Sequence, residues 1–355
     1  MQKGIAALFS LFVLLAPGQP PAARTSFAGR VAELSEPSGY FDTDNLISNE
    51  RSYLQVLPAL RAAGVAGGAY IGVGPDQNFS YIARIRPAIA FIVDIRRDNL
   101  LLHLLFKAMF AEAPTRMDYL CLLFGRAPPA RPAEWRTASI ERLVAYVDAT
   151  PASPGGAARA RLEDRIRSFG VSLSAGDMAT IGRFHQTFVD AGPGLKFESH
   201  GRSPRSYYPS YRDLLLETDP SGAQGNFLAA DEPYQFVRGL EGRDLVIPVV
   251  GNFSGRTALA AIGRLIEERG ETLTAFYTSN VEFYLFGDGS FPRFVDNLRR
   301  IPHAKNSVII RSVFDGYAFR VAPGSYSASI VQPINDLLDR ARAGAVSYRD
   351  LTISR

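Results

Sequence analysis

Cysteine is almost missing from this 355-residue chain, where Cys121 stands alone. An intrachain disulfide is therefore impossible, and so is a thiolate metal cluster, so stability has to come from a packed core. Cys121 sits in the apolar stretch DYLCLLFG, which predicts an inert buried thiol rather than a nucleophile. Histidine is scarce as well. His103, His185, His200 and His303 are scattered with no H-x-x-x-H pair, and no metal is predicted. Neither a G-x-S-x-G elbow nor a P-loop occurs, which removes the hydrolases and nucleotide triphosphatases built on them. A formal net charge of +4 is modest for this length and predicts no nucleic-acid partner. Beyond the N-terminal leader, no stretch approaches the roughly 20 apolar residues that a membrane span needs.

The composition is that of a globular protein, with 46% apolar and 21% charged residues. Its first residues are a separate matter. Met1-Gln2-Lys3 is a short positive start, and GIAALFSLFVLLA (4–16) has the length of a signal-peptide core. Small residues at Ala16 and Gly18, or at Ala22 and Ala23, offer cleavage sites, so residues 1–23 are expected to direct export to the periplasm. A buried N-terminal helix is the other reading, and it would leave the protein cytoplasmic.

Along the rest of the chain, apolar strands alternate with helices. Lead-in helices are expected over 24–66, with DTDNLISNERSYLQVLPALRAAG (42–64) carrying a helical face at Leu54, Leu57 and Leu60. GAYIGV and AIAFIVDI read as buried strands joined by a helix over Gln77 to Arg86, and a long helix is expected from about Asp98 to Phe124. Residues 67–125 then form the first half of an α/β domain. Residues 126–240, with connectors such as GRAPPARPAEW and ATPASPGGAARAR, read as a helical insertion or cap. The alternation resumes over 241–355, with strands at 244–255, 272–280, 306–313 and 327–334. Ser290 is expected to cap the helix that Pro292 opens. Near-continuous apolar strands joined through helices predict a doubly wound, mostly parallel sheet covered on both faces, with a largely helical insertion.

In such a sheet ligands bind beyond the carboxyl ends of the strands. Gly72 and Gly74 follow the first strand, where a bare backbone lets a ligand come close. Asp94 ends the next strand, 22 positions after Gly72, and an acid about 20 positions on accepts the hydroxyls of a ribose. At such an open strand end Asp94 is expected to be partly solvated, unless it pairs with Arg96 or Arg97. The third glycine of G-x-G-x-x-G is replaced by Gln77, and Asp76 in the same turn repels phosphate. These residues favour a nucleoside ligand without phosphate, such as S-adenosylmethionine, over a dinucleotide.

The blocks DNLISNERSYLQVL, YIGVGPDQNFSYIARIRPAIAFIVDIRRDNLLLHLLFKAMF, VIPVVGNFSG and FYTSNVEFYLF resemble a little-characterised bacterial family described as methyltransferase-like. The resemblance runs from about residue 40 to 320. It implies a Rossmann-like domain of the S-adenosylmethionine methyltransferase type, with Gly72 and Gly74 in the glycine loop and Asp94 as the ribose-binding acid. It implies no particular substrate, and Pro75-Asp76-Gln77 departs from the family's glycine-rich continuation.

Further candidates lie on both sides of the insertion. Arg96, Asn99, His103 and Lys107 fall on one helix face and are candidates for substrate binding, provided that face looks toward the strand ends. Asn252 follows a later strand and joins the cofactor-binding set of Gly72, Gly74, Asp76 and Asp94. Tyr277, Asn280 and Glu282 are the catalytic candidates, Glu282 as a base or as a helix cap. HGRSPRSYYPSYRD (200–213) mixes arginines and tyrosines that suit an anionic or planar ligand. Two functions remain open. One is an S-adenosylmethionine-dependent methyltransferase of unknown substrate. The other is an exported, non-catalytic or differently catalytic small-ligand-binding protein on the same scaffold, which the leader favours because S-adenosylmethionine is made in the cytoplasm.

Overall fold

The computed structural model describes residues 25–43, 45–153, 156–200, 205–314, 325–344 and 346–352. The expected leader at 1–23 lies outside them. Six strands form one sheet: β1 (Ala69–Gly72), β2 (Ile89–Asp94), β3 (Val246–Val250), β4 (Leu273–Ser279), β5 (His303–Phe314) and β6 (Ser327–Pro333). Their spatial order is 3-2-1-4-5-6. The first five run parallel, and β6 returns antiparallel on β5. Every residue of β1, β2 and β3 is buried, as expected of parallel strands covered on both faces. Pro248 within β3 is tolerated because β3 is an edge strand. Part of that edge is covered by the N-terminal segment: Glu36 donates its backbone N–H to Val250 at 2.9 Å, and Ser35 Oγ accepts from Val250 N at 3.1 Å.

The chain order decides where the strand ends gather. From β1 the sheet grows outward through β2 to β3, then the chain crosses back to lay β4 on the other flank of β1. The carboxyl ends of β1 to β4 point to one side, and the reversal opens a crevice between them. The crossover from β2 to β3 is the longest and holds seven α-helices among the described residues, at 97–112, 116–123, 140–149, 156–168, 175–191, 211–216 and 231–242. Its last member, Asp231–Gly242, packs against the helices Gln77–Ile85 and Arg97–Glu112 and so belongs to the cover of the sheet.

Three local expectations need correction. The long helix over 98–124 is two helices, Arg97–Glu112 and Arg116–Leu123. Pro114 cannot continue the first, and Thr115 with Asp118 forms a capping box for the second. The lead-in helix shrinks to a 3-10 turn at Arg51–Val56 followed by Leu57–Ala62, with 45–50 outside any helix. Ser290 makes no side-chain cap; its hydroxyl donates to Asp288 Oδ1 at 2.5 Å instead.

Candidate functional site

A cavity of about 310 Å³ opens at the carboxyl ends of β1 to β4. Gly74 lines it from the turn after β1, Asp94 and Arg96 from β2, Asn252 from β3, and Ser279 and Asn280 from β4. The segment at 40–50 closes the remaining side and brings in Glu50. Aromatic rings stand at its mouth: Tyr40 is exposed, and Phe41 meets Tyr284 edge to face with centroids 4.9 Å apart. Two of its lining residues, Asn45 (φ 50°) and Ser279 (φ 52°), hold left-handed backbone without being glycine. Such conformations cost about 1–3 kcal/mol each and gather where the surrounding structure imposes them, often at ligand sites.

The turn after β1 is tied down from within. Asn78 Nδ2 donates to the carbonyls of Val73 at 2.9 Å and Pro75 at 2.7 Å, while Tyr70 donates to Asn78 Oδ1 at 2.8 Å. A Cβ on Gly72 would stand 1.9 Å from Asn78 Oδ1. Gly72 is therefore glycine to admit Asn78, and it does not line the cavity; Gly74 (φ 82°) does. Asp76 is also turned away. It is buried, accepts a hydrogen bond from the Tyr211 hydroxyl, and is pushed up to about 6 by burial.

Asp94 lines the cavity but is not solvated. It is only 5% exposed, and Arg96 grips it through Nε to Oδ1 at 3.0 Å, Nη2 to Oδ2 at 2.8 Å and the backbone N–H to Oδ1 at 2.9 Å. Arg96 Nη1 also donates to the Thr43 carbonyl at 2.9 Å. Arg97 turns outward to Asp177 at 2.9 Å. The expected polar stripe on helix 97–112 divides accordingly. Arg96 reaches the cavity, whereas Asn99, His103 and Lys107 are buried beneath it and do not line it. His103 Nε2 meets the Gly74 carbonyl at 2.9 Å, and burial lowers the imidazole to about 4, so it is neutral. Lys107 is spent on Glu241 and Asp244, the latter at 2.8 Å. Asn99 has no hydrogen-bond partner for either side-chain atom.

Of the catalytic candidates only Asn280 lines the cavity. Glu282 is sealed with Arg311 in a buried ion pair, Nε to Oε2 at 2.5 Å and Nη2 to Oε1 at 3.1 Å, which rules it out as a base facing the cavity. Tyr277 is fully buried behind the wall. In the 200–213 segment Arg202 lies outside the described residues, Arg212 pairs with Asp148, and Tyr208 lines the cavity.

The sequence reading missed Glu50. Its carboxylate is 1% exposed, and it accepts hydrogen bonds from the hydroxyls of Tyr277, Ser279 and Ser312. Burial raises its proton affinity and the three hydroxyls oppose that rise. Gln77 completes this side of the cavity: its Nε2 donates to the Tyr277 hydroxyl at 3.3 Å, and its Oε1 has no partner.

Two of the helix N-termini near the cavity have a carboxylate beside them. Asp76 precedes helix Gln77–Ile85. Glu36 accepts from the backbone of Asn252 at 2.7 Å, Thr257 at 3.2 Å and Ala258 at 3.4 Å, which occupies the start of helix Ala258–Glu268. A phosphate finds the second of these termini occupied.

No curated protein matches the chain. The family described as "Domain of unknown function (DUF7790)" matches residues 45–128 and 198–355, and it skips 129–197, where three helices of the long crossover lie. That match takes in the turn after β1, Glu50, Asp94 and every strand of the sheet; spanning about two thirds of the sequence, it makes the chain a member of this family.

Proposed function

We propose that the protein is a Rossmann-like binder of a phosphate-free nucleoside, S-adenosylmethionine or a close relative, and that it transfers a methyl group from it. The observation that carries this reading is the position of the cavity, outside the carboxyl ends of β1 to β4 at the point where the strand order reverses. Its volume of about 310 Å³ falls at the lower end of the range of about 300–1,000 Å³ for small-ligand sites. Its charge supports the choice of ligand: Glu50, Asp94 and Asp288 line it against Arg96, which is itself bound to Asp94. Aromatic side chains offer faces for a planar base. Asp94 keeps acceptor capacity on Oδ2, where one bond from Arg96 leaves room for a ribose hydroxyl.

Calorimetry with S-adenosylmethionine, S-adenosylhomocysteine, adenosine and ADP tests this directly. The first three should bind, and ADP should bind much more weakly. If adenosine binds and S-adenosylmethionine does not, methyl transfer is lost and a nucleoside-binding protein remains. If ADP binds best, the cavity has been assigned the wrong ligand class.

A further inference from the structure

Glu50 is a buried carboxylate held by hydrogen bonds. Among the described residues no basic side chain pairs with it, and its partners are three neutral hydroxyls. Asp94, in the same cavity, has a guanidinium of its own. Buried charges in proteins are ordinarily paired, because desolvation is too costly otherwise. A second observation points the same way. Gln77 is 7% exposed, lines the same cavity, and leaves its carbonyl oxygen Oε1 without a donor. Glu50 accepts from the Tyr277 hydroxyl and Gln77 donates to the same hydroxyl through Nε2, so the two side chains are neighbours. Among the described residues the cavity wall thus holds a carboxylate without a basic partner and, on a neighbouring side chain, an amide oxygen without a donor.

We infer that Glu50 and Gln77 form an ammonium subsite: the ligand of this cavity carries a primary amine, protonated, that donates to the Glu50 carboxylate and to Gln77 Oε1. The inference rests on the strand-end cavity being a ligand site and adds the charge of the ligand to it. An ammonium has three donors and no acceptor, which suits two adjacent acceptors better than a hydroxyl does. Burial already raises the proton affinity of Glu50, and an incoming cation would hold the carboxylate in its charged form. Tyr277, Ser279 and Ser312 then act as positioning residues that fix both carboxylate oxygens.

The test compares probes that differ in one group. Adenosine and 5′-amino-5′-deoxyadenosine differ by a hydroxyl against an ammonium, and benzyl alcohol and benzylamine repeat the contrast without a nucleoside. Calorimetry on the full chain at neutral pH should show a preference for the amine of roughly tenfold to a hundredfold, the usual worth of a charge-assisted hydrogen bond. Glu50→Gln should abolish that preference, the amine losing far more affinity than the neutral probe. Should Glu50→Gln fail to fold, Gln77→Leu serves instead, and the preference should fall several-fold. A wild-type protein that favours the amine in neither pair, or binds none of the four probes, overturns the inference. So does a preference that survives intact in Glu50→Gln or, if that variant does not fold, in Gln77→Leu. A preference for benzylamine with no binding of either nucleoside supports the ammonium subsite and removes the nucleoside reading, so the two can fail separately.

Discussion

The two sides of the strand-end cavity hold carboxylates in opposite ways. On the β2 side Asp94 is locked to Arg96, two residues along the same chain, by three hydrogen bonds. On the β4 side Glu50 comes from a distant segment and is held by hydroxyls alone. The first arrangement is electrically complete, and its work is to bind the turn after β2 to the segment containing Thr43. The second is complete in hydrogen bonds and incomplete in charge. An acid that lines a cavity is therefore not always one whose charge is available to a ligand. The pairing decides which is which, and pairing depends on what the fold brings alongside.

The sharpest way to break this comparison is to remove Asp94. Asp94→Ala leaves the Arg96 guanidinium buried without its carboxylate, a loss of about 3–5 kcal/mol for a broken buried pair. Urea denaturation should show that loss, and the double variant Asp94→Ala, Arg96→Ala should recover part of it, because the buried charge that lost its Asp94 contacts is then gone. A fall below about 1 kcal/mol for the single variant would mean that the pair is not structural, and the charge of Asp94, not only its Oδ2 as an acceptor, would be available to a ligand.

Asp76 sharpens the contrast through pH. Like Glu50 it is buried and held by a hydroxyl, that of Tyr211, and burial raises it from 3.8 to about 6. Between about pH 4 and pH 6 the folded protein keeps a proton that the unfolded chain releases, so folding becomes less favourable as pH rises through that window. The total comes to about 3 kcal/mol at about 1.4 kcal/mol per pH unit. Asp76→Asn does not titrate, and the difference between its melting temperature and that of the wild type should widen in the variant's favour from pH 4 to pH 7. Parallel curves would show that Asp76 titrates in the folded protein as it does in the unfolded chain.

Much of this fold was legible in the sequence because parallel strands advertise themselves. AYIG, IAFIVD and VIPVV are unbroken apolar runs, and glycine, proline or asparagine marks their ends. The strand ends gather where the alternation placed them, and Gly74, Asp94, Arg96, Asn252 and Asn280 do line one cavity. What local pattern could not give was the direction in which a polar side chain is spent. Asn99, His103 and Lys107 share a helix face, yet that face is buried: His103 meets the turn after β1, and Lys107 meets Glu241 of helix Asp231–Gly242 from more than a hundred residues away. Glu282 looked available until Arg311, on the next strand, was placed beside it. Glu50 was hidden for the converse reason. Next to Arg51 it reads as an ordinary charged surface pair, whereas Arg51 in fact turns out to Glu217 and leaves Glu50 inside. No periodicity signals an acid in a segment that is neither helix nor strand.

The smallest expected effect on stability belongs to Glu50 itself, and it separates a ligand-binding acid from a structural latch. Glu50→Gln keeps the shape of the side chain and one carbonyl oxygen, and the hydroxyls of Tyr277, Ser279 and Ser312 can rotate to meet an amide. No buried cation is left behind, in contrast to Asp94→Ala. Burial raises the wild-type Glu50 above the ordinary carboxylate range, so the folded wild type binds a proton more tightly than its unfolded chain does. Its stability therefore falls as pH rises through and beyond that range, while the glutamine variant has nothing to lose there. The variant should lie within about 1 kcal/mol of wild type at neutral pH, and the balance should tip further toward it at higher pH. Urea melts at pH 5 and pH 8 measure both quantities. A loss above about 2 kcal/mol at both values would make the hydroxyl collar a latch that pins the segment at 45–50 to β4 and β5. The contrast between the two carboxylates would then disappear.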